Sequence, residues 1–219
     1  MSLPPRLERP DVQSVEEVVT NALREAILSG ELRPGDRLLQ EQLAEQLRVS
    51  RIPLRDALRR LEAEGLVRIG PHRGAEVATL SADDVKEIYA IRIALEPELA
   101  RTAIAALRPE DIEKLVEMSK HMDDRLDEPG AGGRARRAFY AELYAHARRP
   151  RTHSLIFRLR DDVQRYHVIH DQGEARQSHA DLRECIRTQD GARAAKLLRD
   201  HLQRARDDLL EEMQREHKA

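Results

Sequence analysis

The stretch that decides the fold, residues 30–81, reads GELRPGDRLLQEQLAEQLRVSRIPLRDALRRLEAEGLVRIGPHRGAEVATLS. Within it, residues 40–47 carry leucines at helical spacing and predict a short helix. A second helix is predicted almost directly afterwards, with Ser50 as its N-cap and Gly65 just past its end. Two helices joined by so short a turn indicate a helix-turn-helix arrangement.

The flanking sequence extends this unit on both sides. A helix is predicted over residues 14–29, because Ser14 and Glu17 form a capping box ahead of apolar residues at helical spacing. Two strand-like runs, residues 66–69 and 75–79, predict a β-hairpin with a basic tip. Three helices followed by a hairpin are the winged helix-turn-helix layout.

The charge distribution supports a role in DNA binding, although the net charge of the chain is only −2. Residues 1–47 contain five arginines and nine acids, whereas residues 48–73 contain seven arginines and three acids. A basic patch confined to about 25 residues is typical of a small DNA-reading element. On charge alone, a solvated helix face is the alternative.

The second helix of the pair has one apolar face, formed by Leu54, Leu58 and Leu61, and one basic face. Arginine suits a recognition helix because its guanidinium can bond guanine O6 and N7 at the same time or reach a phosphate. Basic residues at the hairpin tip could enter the minor groove or pair with phosphates. The predicted DNA-binding residues are Ser50, Arg51, Ile52, Arg55, Arg59, His72, Arg73 and Gly74.

Residues 14–80 resemble the N-terminal domain of the GntR superfamily of bacterial transcription regulators. The VSR-x-P-x-R core, the EGLV turn and the RG wing stand where that family has them. Two positions depart from the pattern. Ile52 replaces the usual Thr or Ser, which removes a hydroxyl contact to the DNA backbone, and Glu41 stands where some members have an Arg that contacts DNA.

From Ser81 onward the pattern is almost entirely helical, so we expect a mainly α chain of two domains. Residues 1–80 form the winged helix-turn-helix domain, and residues 81–219 form an all-α antiparallel bundle for effector binding and dimerisation. Glu128 to Gly133 is predicted as a break between helices. Further helices are predicted from Ser81, over 109–126, and near 134–147, 150–170, 176–189 and 191–216.

The segment DDVKEIYAIRIALEPELARTA is similar to the first effector-domain helix of FadR-type GntR regulators, and this resemblance covers roughly residues 81–215. Their helical domain, called FCD, usually binds a divalent metal through an Asp-x3-His pair and two further histidines. His179 and His201 match the latter two, but Arg136 and Tyr140 replace the Asp and the His. A fixed positive charge and a phenol are poor substitutes, so we expect no metal or other cofactor, although His179 and His201 could hold an ion weakly.

The same resemblance implies an effector pocket in the helical domain. We expect it to bind a small anionic metabolite through Arg92, Arg136, Tyr140, His179 and His201. Two of these are arginines on apolar faces, and a buried guanidinium needs an anion. A ligand carboxylate is one source and Glu96 or another internal acid is the other; we favour the ligand because of the family resemblance.

Several classes of protein are excluded or disfavoured. Charge-free stretches are too short to span a membrane, and the N-terminus lacks a secretory h-region, so we expect a cytoplasmic protein. Cys185 is the only cysteine, which excludes an intrachain disulfide and a zinc finger. No HExxH, GxSxG, P-loop or dinucleotide motif appears, which argues against an enzyme.

The function expected from these features is that of a ligand-responsive repressor that binds a palindromic operator as a homodimer. A metal- or histidine-dependent enzyme acting on a small metabolite is one alternative. A structural protein that binds DNA without sequence preference is the other.

Overall fold

The computed structural model describes residues 14–70, 74–125, 131–169 and 179–216, and it confirms the mainly α fold class. The strands among these residues are β1 (Arg37–Leu38), β2 (Val67–Gly70) and β3 (Gly74–Val77). The helices are α1 (Val15–Leu28), α2 (Gln40–Gln46), α3 (Arg51–Ala63), α4 (Ala82–Ala105), α5 (Pro109–Asp123), α6 (Ala131–Ala145), α7 (Pro150–Ile169), α8 (Ala180–Arg187) and α9 (Gly191–Glu216).

Local signals in the sequence set the ends of the N-terminal helices. The Ser14 hydroxyl accepts a hydrogen bond from the backbone N–H of Glu17, and the Glu17 carboxylate accepts one from the backbone of Ser14, both at 3.1 Å. Gly65 follows α3 with a φ of +81°, a left-handed conformation that residues with a side chain adopt only with strain. The predicted capping box and helix stop are therefore both present.

The predicted hairpin is confirmed, since β2 and β3 pair in an antiparallel register that places Ile69 opposite Ala75. Its tip, residues 71–73, lies outside the described residues. A third strand is present that the sequence does not predict: β1 pairs with β3, and Leu38 lies opposite Ala75. A strand of two residues is too short to show alternation of apolar and polar side chains, so periodicity could not reveal it.

Two hydrophobic clusters divide the core. The N-terminal cluster consists of buried side chains from α1, α2, α3 and the sheet, and Val77 is its last residue in the sequence. The second cluster consists of buried side chains from α4 and the later helices, and Val85 is its first residue. The second cluster is built around α4, which packs along α9. At one end of this pair a Cβ on Gly191 would lie 2.8 Å from the carbonyl oxygen of Arg101, so the close approach requires glycine there.

The break predicted as far as Gly133 was wrong in its extent, because α6 already begins at Ala131. Two consecutive glycines normally weaken a helix. Here α6 packs against α7, and a Cβ on Gly133 would lie 3.1 Å from the side-chain nitrogen of Gln164. Gly133 is thus helical beside α7 although composition alone assigns it to a loop, and the flexible end of the Gln164 side chain does not itself require a glycine there.

The N-terminal unit contacts the helical bundle mainly through α1 and α7. The backbone N–H of Leu80 donates a hydrogen bond to the Tyr166 hydroxyl at 2.5 Å, which fixes the connecting segment to α7. Glu25 of α1 pairs with Arg134 of α6 at 3.0 Å. Because that pair is exposed, we expect it to contribute little to stability on its own.

Asp161 of α7 lies at this contact and pairs with Arg137 of α6. Burial raises the pKa of the Asp161 carboxyl group from its usual 3.8 to about 6, and nearby arginines, Arg137 first, oppose the shift only in part. Between these two pH values the folded chain holds a proton at Asp161 that the unfolded chain releases.

We predict that Asp161→Asn alters the pH dependence of stability. As the pH rises from about 4 to about 6, the wild-type protein should lose up to about 3 kcal/mol relative to the variant, because the unfolded chain releases a proton that the folded chain still holds. Urea unfolding of both proteins across this range measures the difference. Asp83→Asn, at an exposed position of α4, is the control; a pH-independent difference between wild type and Asp161→Asn would contradict the prediction.

Candidate nucleic-acid interface and candidate effector cavity

Helix α3 presents the basic face that the sequence predicts. Leu54, Leu58 and Leu61 are fully buried in the N-terminal cluster, which fixes the rotation of the helix about its axis. Arg55 and Arg59 emerge on the exposed side. A helix anchored in this way can present guanidinium groups to the major groove without losing its packing.

The exposed arginines of α3 differ in their partners. Arg51 donates a hydrogen bond to Glu41 of α2 at 2.5 Å, and both side chains are exposed. Within the described part of the chain, Arg55 and Arg59 form no ion pair. The two are therefore available for an external anion, whereas Arg51 must leave or share Glu41 to bind one.

The other predicted DNA-contacting residues fall into two groups. Ser50 is the N-cap residue of α3 in extended conformation, although its side chain makes no capping hydrogen bond, and Ile52 is 66% exposed on the first turn. Gly74 opens β3 with a φ of +73°, opposite Gly70. His72 and Arg73 lie outside the described residues.

In the helical bundle, three of the five predicted effector-binding residues line one cavity of about 160 Å³, which we call the effector cavity. Tyr140 comes from α6, His179 precedes α8, and His201 lies on α9. The wall also contains a cation that the sequence analysis did not select, Arg204, one turn after His201. The remaining lining residues are Asp181, Leu182, Leu197 and Leu198.

His179 is held by Asp123 at the end of α5. One carboxylate oxygen of Asp123 accepts a hydrogen bond from the backbone N–H of His179 at 3.2 Å and lies 3.3 Å from its Nδ1. Burial and the positive charge of Arg136 lower the pKa of His179 to about 4, and Asp123 offsets this only in part. At neutral pH the imidazole is therefore uncharged, with one N–H to donate and one nitrogen to accept.

The other two predicted residues lie elsewhere. Arg136 is 6% exposed and lines a different cavity, next to α1, although its charge acts on His179. Arg92 is 2% exposed in the core, where its Nε donates to Glu96 at 2.6 Å. The anion beside Arg92 is therefore the internal acid Glu96, which the sequence offered as the alternative to a ligand carboxylate.

Glu96 joins three helices through a buried cluster. Its carboxylate also accepts hydrogen bonds from the Tyr144 hydroxyl of α6 at 3.0 Å and from Arg160 of α7 at 2.7 Å. Burial alone would raise the pKa of Glu96, but the charges of Arg92 and Arg160 lower it below its usual value. Glu96 thus remains ionised in the core because both guanidiniums surround it.

Arg160 connects this cluster to the effector cavity. Its guanidinium carbon lies 4.0 Å from the centre of the Tyr140 ring, within the range of a cation–π contact. Tyr140 also packs against His179, with ring centres 6.0 Å apart. The orientation of the Tyr140 ring at the cavity wall is thereby fixed from both sides.

Comparisons with known proteins agree with this architecture. The family model described as bacterial regulatory proteins, gntR family, matches residues 16–77, and the model of the FCD domain matches residues 87–204. The chain is 30% identical over 207 residues to the HTH-type transcriptional regulator BphR of Paraburkholderia xenovorans, covering 88% of this chain and 84% of that one. The chain belongs to the gntR family of bacterial regulatory proteins.

Two further proteins are similar to this GntR-family chain, one in sequence and one in structure. It is 38% identical over 104 residues to the HTH-type transcriptional regulator YdhC of Bacillus subtilis. The match covers 48% of this chain and 45% of YdhC, so the chain spans about half the length of that relative. The solved structure of Escherichia coli McbR/YncC superposes with a TM-score of 0.79 over 92% of this chain and all of the other. At 24% identity, that likeness shows a shared fold.

The residues of this GntR-family chain do not fit the divalent metal of the FCD pattern. His179 and His201 share a cavity with Tyr140, a phenol where the resemblance implies a further histidine. Arg136, where the resemblance implies an acid, lines a different cavity and acts on His179 through its positive charge. In the portion of the chain that the structure describes, no group of three or more potential ligand side chains is arranged to hold an ion. The absence of a resident metal stays a prediction.

Sequence reasoning missed four residues that shape the site. Tyr144 and Arg204 follow Tyr140 and His201 by one turn, so helical spacing could have indicated both. Asp123 and Arg160 reach the site from other helices, and only the packing of α5 and α7 brings them there.

None of the described helices has the length and apolar composition of a membrane span.

We predict that Glu96→Gln strongly destabilises the helical bundle. The substitution preserves size but leaves Arg92 and Arg160 without their shared carboxylate, which should cost about 3–5 kcal/mol of unfolding free energy. Urea denaturation measures the loss. Glu98→Gln on the same helix, which breaks an exposed pair with Arg101, is the matched control and should change little; equal effects of the two variants would contradict the prediction.

Proposed function

We propose that this chain is a ligand-responsive transcriptional repressor that binds double-stranded operator DNA as a homodimer and responds to a small carboxylate-type metabolite. The observation that carries the DNA-binding part is the exposed arginine face of α3, opposite its buried leucines. In this proposal residues 1–80 bind DNA, and residues 81–219 bind the effector and form the dimer. No catalytic step is assigned to the chain.

The arginines of α3 take different roles in this proposal. Arg55 and Arg59 bind base edges or phosphates directly, since no described side chain occupies them. Arg51 contacts DNA only when its pair with Glu41 opens or is shared. Ser50 and Ile52 lie on the first turn, where Ile52 can contact a thymine methyl group, and the wing residues His72, Arg73 and Gly74 contact the backbone or the minor groove.

A homodimer and a palindromic operator follow from the size of the reading unit. One recognition helix contacts only a few base pairs, and a symmetric dimer that places two such helices one helical turn apart gains both affinity and specificity. Operator selection from random DNA should therefore return a site with twofold symmetry that binds two chains per duplex. A selected site without symmetry would contradict the dimeric proposal.

We predict that Arg55→Ala weakens binding to the selected operator about tenfold or more while leaving the fold intact. The reason is the loss of a bidentate base contact, worth about 1–3 kcal/mol. Titration of labelled operator at fixed salt measures the change, and circular dichroism checks the fold. Arg187→Ala, at an exposed arginine of α8, is the matched control for loss of one charge; unchanged affinity in Arg55→Ala would overturn the assignment.

The effector cavity supports the second half of the proposal. Tyr140 and His201 carry hydrogen-bond donors at the wall of a small volume, and Arg204 supplies a positive charge suited to a carboxylate. Neutral His179 directs its Nδ1–H to Asp123, so its Nε2 can accept a hydrogen bond from a hydroxyl group of the ligand. Tyr140 and Arg160 are in contact, and α7 in turn contacts α1 of the DNA-binding unit. A ligand that moves Tyr140 can thus bias the position of the DNA-binding unit, within the limit set by its differential affinity for the two states.

We predict that a small carboxylate found by thermal-shift screening of mono-, di- and tricarboxylates binds in this cavity. His201→Ala and Arg204→Gln should each weaken its binding about tenfold, because each removes one polar contact to the ligand. Isothermal titration measures the affinity, and Arg215→Gln, at an exposed arginine on the same helix whose partner Glu211 does not line the cavity, is the control. Unaltered affinity in both cavity variants would refute the effector site.

A further inference from the structure

A second cavity, which we call the interdomain cavity, lies where α1 of the N-terminal unit meets α6 and α7 of the bundle, and has a volume of about 250 Å³. It is distinct from the effector cavity, and no residue lines both. Its position is informative because two separate hydrophobic clusters meet there. Pockets for small molecules occur preferentially at such domain boundaries.

The wall of the interdomain cavity is rich in arginine. Five arginines and two carboxylates line it, and the carboxylates, Glu25 and Asp161, pair with Arg134 and Arg137. The five arginines, drawn from all three helices, are Arg24, Arg134, Arg136, Arg137 and Arg160. Four of these arginines have a carboxylate partner, in the wall or behind it, and Glu96 is shared with Arg92, so the formal charge around the cavity is positive by a small margin, which favours an anionic occupant.

Several of these guanidiniums are already fixed in place from behind. Arg24 donates to both oxygens of Glu64, at 3.0 and 2.7 Å, and Arg160 is held by Glu96 in the buried cluster. Arg136 is 6% exposed, so its charge is largely shielded from bulk water. Arginines oriented in advance lose less side-chain entropy when they bind an anion than free surface arginines do.

Apolar surface accompanies this charge. Phe157 of α7 and Leu28 of α1 both line the cavity, and the guanidinium carbon of Arg137 lies 5.1 Å from the centre of the Phe157 ring. An inorganic ion would leave that apolar surface uncovered. An organic anion with a ring or a short hydrocarbon chain covers it and meets the arginines with its charged end.

We propose that the interdomain cavity is a second ligand site that binds a small organic carboxylate, with its charged group toward the arginines and its apolar part on Phe157 and Leu28. The occupant contacts helices from both structural units and so holds the N-terminal unit against the bundle. Arg160 lies between the two cavities, because it lines the interdomain cavity and packs on Tyr140, which lines the effector cavity. This site does not depend on the identity of the effector proposed above.

The test uses benzoate as the probe and benzamide, which has the same ring without the charge, as the ligand control. Isothermal titration of the full chain is carried out on wild type and on three variants whose melting transitions verify folding. Arg137→Gln removes one lining charge, Gln164→Trp fills the cavity without changing its charge, and His201→Ala alters only the effector cavity.

Benzoate is expected to bind the wild type and the His201→Ala variant alike, and to bind Arg137→Gln and Gln164→Trp about tenfold more weakly. Benzamide should bind the wild type at least as weakly as benzoate binds these two variants. Benzoate binding that is lost in His201→Ala alone would place the probe in the effector cavity and overturn the proposal, while leaving the proposed function intact. Absence of benzoate binding, equal binding of benzamide, or unchanged binding in both interdomain variants would also overturn it.

Discussion

The buried carboxylate of Glu96 is the constraint on which the helical half depends. An ionised acid in a protein core is stable only when cations and hydrogen-bond donors surround it, and here Arg92, Arg160 and Tyr144 fill that requirement from three helices. The position of Arg160 then fixes Tyr140 at the effector cavity and forms part of the interdomain wall. One internal charge thereby sets the geometry of both cavities.

Much of the fold could be predicted because its signals are local. Capping residues Ser14 and Ser81, the glycine after α3 and the leucine stripe of α3 each act within one or two turns of chain. The errors occur where tertiary packing outweighs local preference. The two-residue strand β1 exists only through its pairing with β3, and Gly133 is helical where α6 approaches α7.

The candidate sites show the same division. The basic face of α3 follows from helical periodicity, so Arg55 and Arg59 could be placed from the sequence. The effector cavity forms where residues from α6, α9 and the start of α8 converge. The family resemblance, and not periodicity, indicated that His179 and His201 lie together there. Helical spacing already indicated Glu96, four residues after Arg92, as an internal partner for that arginine. Neither periodicity nor resemblance could indicate that Arg136 faces the interdomain cavity, because its position depends on how the helices are rotated against one another.

The pair between Arg51 and Glu41 has a further consequence for how the recognition helix senses ionic strength. A cation that binds a DNA phosphate displaces condensed counterions from the duplex, and the number displaced sets the slope of affinity against salt concentration. An arginine that keeps its own carboxylate at 2.5 Å brings little net charge to the phosphates and displaces few ions. In the proposed complex, the electrolyte response of α3 therefore arises chiefly from Arg55 and Arg59, and Arg51 contributes through the geometry of its donors more than through its charge.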